Sequence, residues 1–106
     1  MKNGLRTLFC LLLMWGVARA QGAGRMEGLV TDAYARPFPG VSIQLSGEGI
    51  LRRTATAEDG RFEFDAVPSG TYTLTAISVG YKTAIYRNIQ VADGSVVSHS
   101  VLMQVE

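Results

Sequence analysis

The sequence predicts an all-β fold, a seven-stranded antiparallel Greek-key β-sandwich, and three observations carry that expectation. Turn signals rich in Gly, Pro and Asp recur about every ten residues. The segments between them are short and alternate apolar with polar residues, the period of a half-buried strand. No segment repeats apolar residues at helical spacing for long enough to make a helix.

Residues 1–20 stand apart from that pattern. Lys2 and Arg6 precede an almost continuous apolar run from Leu8 to Val17, and Ala18 and Ala20 put small residues where a signal peptidase reads. The run is about half of the roughly 20 residues that a membrane span needs. A secretory signal cut between Ala20 and Gln21 is therefore expected. Cys10 lies inside the apolar run rather than at the cleavage point, which argues against a lipoprotein signal. The remainder, residues 21–106, is read as one domain, periplasmic or secreted, with no stable membrane insertion after the signal is removed.

That domain holds no cysteine, so its core and strand ladders must do what disulfides do in many small exported domains. Taking Lys2, Arg6 and Arg19 from the ten basic residues leaves seven against nine acidic ones, a formal charge of −2. No long basic run occurs, so the electrostatic footprint of a nucleic-acid binder is missing.

The strands follow in order. The first is read over Arg25–Asp32, and Pro37, Pro39 and Gly40 break the chain after it. Val41–Ser46 alternates, with Val41, Ile43 and Leu45 on one face. Ile50–Ala57 comes next, after a Gly-Glu-Gly turn. Asp59–Gly60 is a tight-turn signal, and Gly60 can take the positive φ such a turn requires. Arg61–Asp65 then turns Phe62 and Phe64 to the core and Arg61, Glu63 and Asp65 to water. A Pro68–Gly70 turn leads to Thr71–Val79, with Tyr72, Leu74 and Ala76 on one face. Gly80–Val91 is the next strand, its apolar set Ile85, Ile89 and Val91, and Val96–Val105 closes the fold. A tyrosine at a strand start just after a glycine turn matches the tyrosine corner of Greek-key sandwiches, so the Tyr72 hydroxyl is expected to bond to backbone upstream.

These motifs carry a family resemblance. Gly28, Val30 and Asp32; Pro37, Gly40 and Val41; Thr56, Gly60, Phe62 and Phe64; Pro68, Gly70, Tyr72 and Leu74; and Gly80 with Tyr81 together resemble the carboxypeptidase regulatory-like domain. One departure is Ser69, where that family often has a second Pro. The resemblance implies a transthyretin-like, carbohydrate-binding-like sandwich. It also implies a non-catalytic accessory module, such as those that stand before the plug of TonB-dependent outer-membrane transporters or act as spacers in extracellular enzymes.

The residues offer little chemistry. Zinc catalysis takes about three protein ligands, and the chain has a single histidine, His99. Its neighbours Ser98 and Ser100 point to the opposite strand face, so no nucleophile–base pair is expected. Glu63 and Asp65 share a face, with Arg61 nearby and no cleft to raise either acid. No enzyme, cofactor or metal is expected. Two binding readings remain: a protein partner in the cell envelope, or a glycan. For the glycan, the candidate stacking rings are Tyr34 and Tyr86, because Phe38 is expected under its loop and the only tryptophan, Trp15, leaves with the signal.

Overall fold

A computed structural model describes residues 23–106, so the expected signal and its expected cleavage site at Ala18 and Ala20 lie outside the described residues. Seven strands follow one another: β1 (Ala23–Thr31), β2 (Ser42–Gly47), β3 (Ile50–Ala55), β4 (Arg61–Pro68), β5 (Gly70–Ile77), β6 (Ala84–Val91) and β7 (Val96–Leu102). They form two sheets, ordered β4-β1-β7 and β3-β2-β5-β6. The inner faces of both sheets supply the core, in which Met26, Val30, Ile43, Leu45, Leu74 and Val101 are essentially inaccessible. Alternation decides this packing: Phe62 and Phe64 on β4, and Tyr72, Leu74 and Ala76 on β5, all turn inward.

Every strand pair is antiparallel except one: β1 and β7 run parallel, from Arg25 opposite Val96 to Thr31 opposite Leu102. The antiparallel expectation is corrected at this pair. Side-chain alternation reports which face is buried and is silent on the direction of the neighbour. β7 reaches β1 only after Ala92–Ser95 carries the chain across from the other sheet, and such a crossing can deliver either direction.

A second correction concerns β6. Ile85 was expected inside with Ile89 and Val91, but it is about half exposed, whereas Ile89 and Val91 are buried. The register explains the switch: Tyr72 lies opposite Ile89 and Leu74 opposite Tyr86, so β6 holds one residue more than β5 over this span. Asn88 sits in this bulge with φ 61°, a left-handed conformation that asparagine tolerates better than most residues. Beyond the bulge the alternation inverts, so Ala84 and Tyr86 turn inward and Ile85 turns out. The strand also begins later than expected, leaving Gly80 and Tyr81 in the preceding turn. β4 carries a matching bulge: Gly24 pairs with Val67 and Met26 with Phe64, with Ala66 at φ 51°.

The loop between β1 and β2 is tied down from two sides. Buried Thr56 accepts from Val41 N at 2.9 Å and donates its hydroxyl to Phe38 O at 2.7 Å. Gly60 has φ 78°, and a Cβ there would sit 2.7 Å from Val30 O, so both conformation and space call for glycine.

Candidate interaction surfaces

The residues singled out from the sequence fall into three places. Phe62, Phe64 and Tyr72 belong to the core. The Tyr72 hydroxyl donates to Pro68 O at 2.6 Å, four residues upstream, at the Gly70 turn. Burial raises the phenol's pKa, with the nearby Glu48 carboxylate adding to the effect. Tyr81, just after Gly80, is half-buried and meets the Phe38 ring edge-on at 4.8 Å, sealing one end of the core. Both rings are structural here.

Tyr34 and Tyr86 differ sharply. Tyr34 is 79% exposed on the β1–β2 loop, with the Arg36 guanidinium 5.2 Å above its ring. That loop is shaped by Asp32, whose carboxylate accepts from Tyr34 N at 2.8 Å, Arg36 N at 3.0 Å and Arg36 Nε at 3.0 Å. These bonds, the one from Arg36 N above all, hold the Asp32 carboxyl below the ordinary aspartate pKa. Tyr86 instead packs against the core, edge-on to the His99 ring at 4.5 Å. Its hydroxyl accepts a long 3.4 Å bond from Leu102 N. The open depression that Tyr86 lines is built from Lys82 to Tyr86 with Leu102 and Gln104, without Tyr34. Because the Asn88 bulge inverts β6, Tyr86 is committed to packing, and of the two candidate rings Tyr34 is the one freely offered.

The paired acids Glu63 and Asp65 stand on the outer face of β4, and Arg25 on β1 holds them both. Its guanidinium bonds Glu63 and lies 3.4 Å from Asp65 and 3.5 Å from Glu27. Glu27 and Glu63 lie directly opposite in the register, a like-charge pairing that Arg25 offsets. The groove between β3 and β4, about 330 Å³, is lined by Glu27, Glu63, Asp59 and Arg61. Asp59 there pairs with Arg61 at 3.6 Å. Each of these four carboxylates thus has a guanidinium beside it, three of them sharing Arg25. Among the described residues, no group of His, Cys, Asp and Glu is placed to hold a metal.

The strand edges are a surface that reading residue by residue did not single out. With sheets ordered β4-β1-β7 and β3-β2-β5-β6, four edges exist, two on each flank of the sandwich. On one flank Arg52 of β3 reaches across to the carbonyls freed by the β4 bulge, Asp65 O and Ala66 O. On the other flank lie β6 and β7, bridged by the Tyr86–His99 pair. β7 carries no charge and no bulge, and its Val96 and Leu102 are 60% and 45% exposed. Only strand order could reveal it, because an uncharged alternating segment reads alike at the centre or the edge of a sheet.

Comparison with known proteins agrees with this architecture. No curated protein sequence matches. Among solved structures, the Bacillus anthracis TIE protein aligns over 79% of this chain with TM-score 0.71 and 18% identity. A chain of the type II cohesin–X-dockerin complex of Acetivibrio cellulolyticus aligns over 77% with TM-score 0.63 and 20% identity. The minor pilin GBS52 of Streptococcus agalactiae aligns over 81% with TM-score 0.62 and 14% identity. This chain spans 17%, 58% and 46% of those three chains, and at such identities the likeness is one of fold. The sequence profile of the carboxypeptidase regulatory-like domain matches residues 25–104. Together with the β-sandwich that carries those motifs, the match assigns the chain to the carboxypeptidase regulatory-like domain family.

Proposed function

We propose that the chain is an exported, non-catalytic β-sandwich module that binds a protein partner in the cell envelope through its strand edges. The observation that carries this reading is the β7 edge, an outer strand of seven residues with no charge and two exposed apolar side chains. Natural sheets protect such edges with charge, bulges or cover, and an extended segment pairing along one gains main-chain hydrogen bonds. Two of the similar structures support the same direction. One is part of a cohesin–dockerin complex and another is a pilin, both proteins named for assembly rather than for a reaction. Export rests on the signal read in residues 1–20.

A photo-crosslinking residue placed at Ser98, on the exposed face of β7, tests this in cells. Crosslinks to an envelope protein, lost when Lys replaces Val96, are expected. Crosslinks that persist in Val96→Lys would point to another surface. The glycan alternative keeps one freely offered ring, Tyr34, with Arg36 over it. Retardation by a soluble polysaccharide in affinity electrophoresis, abolished in Tyr34→Ala, would put that alternative first.

A further inference from the structure

We propose that β7 pairs antiparallel with β7 of a second copy of the chain, about a two-fold axis at His99. The proposal rests on the strand-edge reading above and names the partner as a second copy. It starts from the directions of the backbone groups. Met103 N donates to Thr31 O, Arg25 N donates to Ser95 O, and His99 O lies against Gly28. In a parallel ladder a residue's N–H and C=O point to the same side. The odd-numbered residues of β7 therefore serve β1. Val96, Ser98, Ser100 and Leu102 turn theirs to the open edge, in keeping with Tyr86 Oη at Leu102 N and His99 Nδ1 at Ser100 O.

The strand is also self-complementary. Val96-Val97-Ser98-His99-Ser100-Val101-Leu102 reads almost the same from either end. A two-fold at His99 sets Val96 against Leu102 of the second copy and Ser98 against its Ser100. Both pairings join edge-facing residues, so each exchanges N–H···O bonds as an antiparallel ladder requires. A two-fold between residues would set edge-facing groups against groups already spent on β1. A two-fold at Ser98 or Ser100 keeps the parity but shortens the overlap and leaves Leu102 or Val96 without an apolar opposite. The His99 register covers both exposed apolar residues at once.

Nothing charged on β7 opposes the approach of its copy. The other edges differ: β3 carries Arg52 and Arg53, β4 carries Glu63, Asp65 and a bulge, and β6 carries Arg87 and a bulge. Pairing displaces the Tyr86 hydroxyl and ends at Leu102, because beyond it Gln104 O already accepts from Lys82 N at 2.8 Å. Leu102 N exchanges a 3.4 Å bond for a carbonyl in the ladder, and Ser100 O has a second lone pair beside the one facing His99. The result is a continuous six-stranded sheet, ordered β4-β1-β7 and then β7-β1-β4 of the copy.

Sedimentation equilibrium and a cysteine crosslink test the register. The exported protein is expected to dimerise with concentration, and Val96→Lys to weaken dimerisation about tenfold or more by placing a charge on the edge. Ser98→Pro removes an edge-facing N–H while sparing the bonds to β1, and has the same expected effect. In the two-fold register the two His99 Cα atoms lie about 4.5 Å apart as a non-hydrogen-bonded pair, within disulfide reach. Because Cys10 leaves with the signal, His99→Cys gives the exported protein one thiol, expected to form a disulfide-linked dimer on mild oxidation, and Ser98→Cys is expected to link far less. If His99→Cys fails to fold, the Val96→Lys sedimentation result decides alone. A protein that stays monomeric at about 1 mM, where even a millimolar Kd would register, overturns the pairing and leaves the envelope-partner reading standing. A dimer indifferent to both Val96→Lys and Ser98→Pro also overturns it, since its interface would lie elsewhere.

Discussion

The two flanks of the sandwich close in different ways. Between β3 and β4 the closure is a cation on backbone: Arg52 spans the sheets to two carbonyls that the Ala66 bulge has turned out of the ladder, Ala66 O at 3.0 Å. Between β6 and β7 the closure is a pair of rings, Tyr86 on His99, with one hydroxyl contact at 3.4 Å. The first flank has charge and a bulge on its edges. The second has them on β6 alone; β7 presents an uncharged edge, covered at its far end where Tyr86 Oη meets Leu102 N and Lys82 N donates to Gln104 O. The difference teaches that edge protection in this fold is distributed unevenly, and that the unprotected strand is the one free to pair.

The largest expected effect on that comparison comes from detaching β7 from its neighbour. A Cβ on Gly28 would lie 2.1 Å from His99 O and 2.5 Å from the Phe62 ring. One contact is backbone and the other is core, so neither yields easily. Gly28→Ala is expected to cost about 3 kcal/mol in urea denaturation. A loss below about 1 kcal/mol would mean that β7 is not held tightly on β1. Next comes the β6 bulge. Asn88→Val puts a β-branched residue at positive φ and is expected to cost about 2 kcal/mol, whereas Asn88→Gly is expected to leave the denaturation midpoint nearly unchanged.

Smaller effects separate the hydrogen bonds. Arg52→Ala removes two bonds to carbonyls on the protected flank and is expected to cost about 1–2 kcal/mol. Tyr72→Phe removes the buried 2.6 Å bond to Pro68 O and is expected to cost about 0.5–1.5 kcal/mol. Tyr86→Phe removes only the 3.4 Å contact, so a change within about 0.5 kcal/mol is expected. If Tyr86→Phe costs as much as Arg52→Ala, the contrast between the flanks fails.

The pH dependence of the loop beside Tyr34 has a definite sign. Folding lowers the Asp32 pKa, so the folded state binds the proton less readily than the unfolded one. Its contribution is present above the ordinary value of 3.8 and is lost as pH falls through the lower folded value. Asp32→Asn is expected to remove that part of the acid sensitivity, as read from the pH dependence of the thermal midpoint.

Local rules carried much of this fold. Gly60 with its left-handed turn, Phe62 and Phe64 facing inward, and Tyr72 beside the Gly70 turn are all legible because each depends on two to four neighbouring residues. A strand's alternation says which side chains share a face, and a glycine after an aspartate says where the chain reverses. Export, and a domain over residues 21–106 that lacks cysteine and is weakly charged, are likewise expectations from sequence alone. Ile85 marks where such rules stop: alternation put it inside, and the one-residue bulge at Asn88 turned it out and took Tyr86 in. A bulge sets two residues of one strand against one of its partner, and neither strand alone records that register. The direction of β7 beside β1, the reach of Arg52 across the sheets and the open backbone of the last strand were likewise decided by tertiary structure. Each is a relation between separate segments, from 13 residues apart for Arg52 and Asp65 to about 70 for β1 and β7, fixed when the sheets pack, and no local pattern in either segment encodes it.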